Sequence, residues 1–174
     1  MRKLHKLFLS LGLILTLNAC ANSPVYLAGS KDADGKEQGP YTIYSKDNNM
    51  VLGKGQFRDG HPDGLWTLWN NAGFKVAELN YKYGLIDGEY KIYFTDQRPE
   101  DKNKLASKGH LINGRLGGGM FEAYDVQGNL TTRFTVENDR VAEVLYGDPA
   151  IAYRQLAAEI KVLQIDNARV LGRI

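Results

Sequence analysis

The chain has one cysteine, Cys20, and three histidines among its 174 residues. A single thiol cannot form an intramolecular disulfide, so stability must come from packing. The histidines argue against a built metal centre by their placing. His5 stands near the N-terminus, His61 in a turn between Gly60 and Pro62, and His110 in a predicted strand, none at ligand spacing with a Cys, Asp or Glu cluster. His61 with Asp59 and Asp63 comes nearest, and a Gly/Pro/Asp-rich turn explains all three. Serines are few and none lies in a nucleophile elbow. The run Gly114-Arg-Leu-Gly-Gly-Gly119 lacks the lysine and following helix of a phosphate loop. Charge of one sign is missing too: 22 basic against 20 acidic residues leave +2, no footprint for nucleic acid. The reading is no catalytic residue, no metal, no cofactor, no nucleic acid partner and no enzyme.

What the chain does have is a unit that returns four times: Gly39-Pro-Tyr-Thr-Ile-Tyr44, Gly64-Leu-Trp-Thr-Leu-Trp69, Gly88-Glu-Tyr-Lys-Ile-Tyr93 and Gly119-Met-Phe-Glu-Ala-Tyr124. Repeated residues usually serve architecture. A second glycine precedes each unit, at Gly35, Gly60, Gly84 and Gly114, with apolar Phe57, Tyr81 and Leu111 three residues before the last three of these. Alternation within each unit predicts a strand. Its apolar face holds Tyr41 and Ile43, Trp66 and Leu68, Tyr90 and Ile92, Phe121 and Ala123, and its polar face Thr42, Thr67, Lys91 and Glu122. The terminal aromatics Tyr44, Trp69, Tyr93 and Tyr124 fall by parity on the polar side. Either the strand bulges there or they form an exposed ladder. Turn-forming clusters at 45–49, 70–73 and 125–129 read as hairpin tips, each followed by a second strand. The expected fold is therefore mostly β, an elongated meander of stacked β-hairpins forming a single-layer antiparallel sheet, because a lone hairpin must stack to bury its face.

The Gly-x-Trp/Tyr-x-x-Trp/Tyr core and the Tyr-x-x-Gly or x-Asn-Gly element before the next glycine resemble the MORN-variant repeats of YwqK-type proteins, over roughly residues 35 to 146. The resemblance implies a meandering sheet, no enzyme, and a role labelled antitoxin-like or immunity-like in some members. Three departures stand out: a charged insertion between Tyr93 and Leu105, an extra residue before Gly119, and Asn138-Asp139 where a last glycine is due. The last reads as the end of the array.

At the start, Met1-Arg-Lys-Leu-His-Lys6 and the apolar Leu7 to Leu17, closing on Leu17-Asn-Ala-Cys20, read as a secretory leader too short to span a bilayer. The junction resembles a bacterial lipobox, which implies lipidation of Cys20, palmitate included, and membrane attachment. Ala21 rather than Asp after it implies the outer membrane in a Gram-negative envelope, facing the periplasm. Removing the leader takes away Arg2, Lys3 and Lys6 and no acid, so +2 becomes −1. The organisation is then a leader over 1–19, a polar tether over 20–37, repeats over 38–147, and a helix and tail over 148–174. Val25-Tyr-Leu27 are also compatible with a first strand. Asp148-Pro149 is an N-cap followed by proline at the first helical position. Leu156, Ile160 and Leu163 continue at helical spacing to about Gln164, with Arg154, Glu159 and Lys161 between them. The helix is expected to cover the last open strand edge; a partner-docking helix is the second reading.

The repeat-turn glycines Gly39, Gly60, Gly64, Gly84, Gly88, Gly114 and Gly119 are read as architectural. The expected interaction surface comprises Tyr44, Trp69, Tyr93 and Tyr124 together with Arg98, Glu100, Asp101 and Lys102 of the insertion. Two functions fit: a lipid-anchored protein whose sheet binds another protein, immunity-like in its most specific form, and an envelope structural protein touching peptidoglycan or glycan through surface aromatics.

Overall fold

The computed structural model describes residues 25–95, 102–116 and 118–170. The leader, Cys20, and Arg98, Glu100 and Asp101 of the insertion lie outside the described residues. Eleven strands form one open antiparallel sheet: β1 (Val25–Lys31), β2 (Glu37–Ser45), β3 (Val51–Arg58), β4 (His61–Trp69), β5 (Lys75–Lys82), β6 (Leu85–Tyr93), β7 (Leu105–Ile112), β8 (Arg115–Leu116), β9 (Gly119–Tyr124), β10 (Leu130–Glu137) and β11 (Arg140–Tyr146). The helix α1 (Pro149–Val170) follows. Each strand pairs with its neighbours in chain order, except that the short β8 pairs β7 beside the main path. The hairpin meander is as the repeats predict.

Two kinds of turn alternate along the sheet. On one edge the paired residues Asp59 and Gly60, Tyr83 and Gly84, Asn113 and Gly114, and Asn138 and Asp139 all have φ between 50° and 82°. That is the two-residue type I′ hairpin, whose twist matches the strands it joins. On the other edge Asn70 and Asp125 close wider loops, their Oδ1 atoms accepting two backbone N–H groups each at 2.8–3.0 Å. The turn at Asp32 is built the same way, although it sits on the tight-turn edge.

Consecutive tight turns are tied together. The N–H of Gly60, Gly84, Gly114 and Asp139 donates to the carbonyl of Glu37, Pro62, Ile86 and Leu116 respectively, at 2.8–3.0 Å. The missing last glycine does not end the array at the turn. Asp139 adopts φ 60°, and its carboxylate accepts Leu116 N–H at 2.9 Å and Arg115 at 2.8 Å, so β11 still forms. In the fourth unit the positive φ falls on Gly118 (72°), not on Gly119, because the extra residue shifts the bend by one.

The terminal aromatics meet both alternatives. The register slips at the same place in every unit, beside Tyr44, Trp69, Tyr93 and Tyr124, leaving Leu52, Val76, Ala106 and Thr131 as the extra residues of β-bulges. The aromatics nevertheless stay on the polar face, half-exposed.

The apolar face is continuous from Tyr41 and Ile43 to Phe134 and Val136, with Trp66, Leu68, Leu79 and Tyr90 fully buried. Phe57 bridges Tyr41 and Trp66 edge-on, at centroid distances of 4.8 and 5.4 Å. Gly29, Gly55 and Gly109 lie under the Tyr41, Trp66 and Tyr90 side chains, where any Cβ would collide with them. Glycine inside a strand here marks a close approach by a neighbour's aromatic ring.

Two expectations about the ends are corrected. Residues 25–31, read as part of a tether, form β1, paired with β2 from Val25↔Ser45 to Lys31↔Glu37, because Leu27 packs on the core and Tyr26 stacks on Tyr44 at 5.2 Å. The helix starts as expected, with Asp148 Oδ1 accepting Ala150 N–H at 2.8 Å. It does not cover the strand edge: Ala152, Leu156, Val162 and Leu163 join the core on the apolar face of the sheet. Glu159 goes in with them rather than facing solvent, and Ser107 Oγ on β7 donates to its Oε1 at 2.7 Å. The Ser107 hydroxyl thus gives this buried carboxyl a hydrogen-bond partner inside the core. Ser107→Ala is expected to cost about 1–3 kcal/mol, as for leaving a buried polar group without its partner, read from the urea midpoint.

Candidate binding face

On the face opposite the core, one row of directly opposed residues crosses the whole sheet: Ala28, Thr42, Lys54, Thr67, Glu78, Lys91, Lys108, Glu122, Arg133 and Tyr146. The row exists because strand parity and the repeated bulges keep every unit in the same register. Most of its members are half-buried or exposed, so among the described residues no second layer packs over them.

Apart from the exposed Lys54, the charges of the row are fixed by neighbours. Lys75 Nζ lies 2.6 Å from Glu78 Oε1, and the Tyr93 hydroxyl donates to Glu78 Oε2 at 2.8 Å. Burial opposes ionisation of Glu78, yet the hydrogen bonds from Lys75 and Tyr93 hold its carboxyl below the usual range. Burial and then the bond to Glu78 push the Tyr93 phenol well up, and Lys75 Nζ sits 4.9 Å over its ring. Lys91 pairs with Glu89 at 2.9 Å, a hydrogen bond that raises the Lys91 ammonium.

Glu122 is the second hub. Lys108 Nζ approaches Oε2 at 2.8 Å, Tyr124 donates to the same oxygen at 2.6 Å, and Arg133 holds Oε1 from Nε and Nη2 at 2.8 and 2.7 Å. The Lys108 bond, followed by that from Tyr124, lowers the Glu122 carboxyl to about 2. Burial and the bond to Glu122 raise the Tyr124 phenol. Beside this hub is a shallow depression lined by Glu89, Lys108, Gly109, His110, Met120 and Glu122. No cluster of three or more metal-ligating side chains occurs among the described residues.

The four terminal aromatics are brought to one side of this row, joined by Tyr26 at the β1 end. Lys102 lies apart from the polar row, with its Nζ 5.6 Å from the Phe74 ring. The predicted turn glycines lie on the tight-turn side, Gly39, Gly64 and Gly88 at positive φ, and take no part in the face. Sequence reading names Thr42, Thr67, Lys91 and Glu122 as polar-face residues but misses their partners Lys54, Glu78, Lys108 and Arg133. Those sit on the second strand of each hairpin, whose register depends on bulges that leave no mark in composition.

Fold and face together define an open, repeat-built antiparallel sheet with one polar face left bare. No family model matches the chain, and no curated protein matches it. Among solved structures, TarM aligns with a TM-score of 0.42 at 6% identity, over 76% of this chain and 24% of that one. The chain thus spans less than two thirds of TarM, and the likeness is too loose to inform either fold or function. No helix among the described residues is long and apolar enough to cross a membrane.

Proposed function

We propose that the chain is a non-enzymatic binding protein, held to the outer membrane by lipid on Cys20, whose bare polar face engages another protein. The observation that supports this most is the unbroken row from Ala28 to Tyr146. Its charges from Glu78 to Arg133 are held in place by internal hydrogen bonds, so a partner would meet a largely rigid surface and lose little side-chain freedom of this protein on binding. The charged insertion, with Arg98, Glu100, Asp101 and Lys102, is a second candidate contact in this reading, on its charge in the sequence alone. An immunity-like role against a toxin is its most specific form, favoured by the repeat resemblance. The file of half-exposed aromatics from Tyr26 to Tyr124 favours a second reading, glycan or peptidoglycan contact by ring stacking.

Crosslinking in the native envelope, with capture and mass spectrometry, tests the two. A single stoichiometric protein, lost when Lys54 and Lys91 are changed to Glu, supports the first reading. Recovery of peptidoglycan fragments alone, lost with Trp69→Ala, moves the function to the second. Palmitate labelling should disappear in Cys20→Ala; labelling that persists would remove the anchor from either reading.

A further inference from the structure

The row across the bare face is sorted by depth as well as by register. Its carboxylates are sunk: the side chains of Glu78 and Glu122 are 20% and 9% exposed. Its cations stand above them, Lys91 and Lys108 at 37% and Arg133 at 41%, and Lys54 is exposed outright. Stem length explains the sorting, since lysine and arginine lay their methylenes along the surface and keep the charged head in water. Arg58 with Asp63 and Arg115 with Asp139, nearer the tight turns, are ordered in the same way. Glu89, beside Lys91, is the exception and stands higher than its partner.

The whole chain is nearly neutral, yet the row is not. Four cations, Lys54, Lys91, Lys108 and Arg133, against two carboxylates, Glu78 and Glu122, leave it at +2, with the positive charge outermost. We propose that the partner of this face is an acidic protein surface, whose carboxylates seat on those four cations. The inference rests on the protein-binding reading above and gives that partner its charge.

Size and setting fit a protein. From Lys54 on β3 to Arg133 on β10 the path crosses six strand-to-strand steps of about 4.8 Å, about 29 Å in all. That matches the breadth of one side of a standard interface, about 800 Å² per partner. The half-exposed Tyr44, Trp69, Tyr93 and Tyr124 run alongside, and tyrosine, tryptophan and arginine are the residues in which protein interfaces are enriched. Lys91, Lys108 and Arg133 are already braced by Glu89 and Glu122, so seating a carboxylate on them costs little side-chain freedom.

The full chain in uncharged detergent micelles, titrated into fluorescent poly-L-glutamate and followed by anisotropy, tests this. Lys54→Glu and Lys161→Glu change the net charge equally. The first lies on the polar face and the second on the exposed side of α1, which packs on the opposite face of the sheet. Thermal melting checks that both keep the fold. The expected result is binding that weakens as salt rises, a loss of about three- to tenfold with Lys54→Glu and of less than about twofold with Lys161→Glu, since exposed charges act over only about 10 Å. Glu89→Gln, which removes the carboxylate that stands out beside the row, should tighten binding by about two- to threefold. Absence of binding, or an equal loss with both lysine variants, overturns the proposal. So does binding that disappears when phosphatidylglycerol is added to the micelles, because the face then takes anionic lipid. A stoichiometric protein still captured from the envelope in any of these cases keeps the protein-binding reading and removes only the charge assigned to its partner.

Discussion

Gly55→Ala is expected to destabilise the protein by about 1–3 kcal/mol, although alanine in a strand normally gains about 0.5–1 kcal/mol over glycine. The reversal of sign comes from Trp66. Its indole lies flat across Gly55 from the adjacent strand, so a methyl group there must displace a fully buried ring. Trp66→Ala should cost about 3–5 kcal/mol on its own, the range for emptying a large aromatic site. The double variant separates collision from cavity: once the indole is gone the alanine methyl has room, so the combined loss should be smaller than the sum. Urea midpoints at unchanged slope provide the readout. A neutral or stabilising Gly55→Ala would mean that the strands separate easily at this point and that the ring does not set their spacing.

The largest pH effect is expected at Glu122. Its carboxyl titrates at about 2 in the folded protein against 4.5 for the free group, so the folded state favours the ionised form. A depressed carboxylate contributes stability that is complete above the unfolded value and is lost as pH falls through the folded one. The contribution is up to about 3 kcal/mol, trimmed by solvent because Lys108 and Arg133 are 37% and 41% exposed. Glu122→Gln should therefore be less stable than the parent by that order at neutral pH, with the gap narrowing from about pH 4.5 down to 2. Equilibrium unfolding of the two proteins across that range measures it. A gap that stays constant with pH would show that the hub acts by shape rather than charge.

The hairpin order and the buried face could be read from the chain because the repeat prints both. Glycine marks the bend, alternation marks the face, and every unit votes the same way. Phe57, Tyr81 and Leu111, picked out by spacing, are all buried. The extra residues Leu52, Val76, Ala106 and Thr131 could not be seen, because a bulge is a relation between two strands. Register was lost with them, and so were Glu78, Lys108 and Arg133 as parts of the polar row. β1 was obscured by polar composition: only Val25, Leu27 and the Tyr26 ring give it reason to pair, too little for a periodicity argument. Glu159 misled for the opposite reason. Among alternating charges on a helix it looks solvated, and only the third dimension supplies Ser107 beneath it.

The pairing of Arg115 with Asp139 bears on how such a chain can change length over generations. A middle unit that lays a lysine, histidine or leucine side chain (Lys36, His61, Leu85) on the glycine of a following turn can be copied or deleted in frame, since its neighbours ask only for an empty slot. The final unit cannot be moved so freely. Its aspartate, where its siblings have glycine, is matched to the guanidinium that comes just before it, and transplanted behind Leu85 that carboxylate would face an aliphatic chain. The array can therefore lengthen from within while its last unit keeps its place.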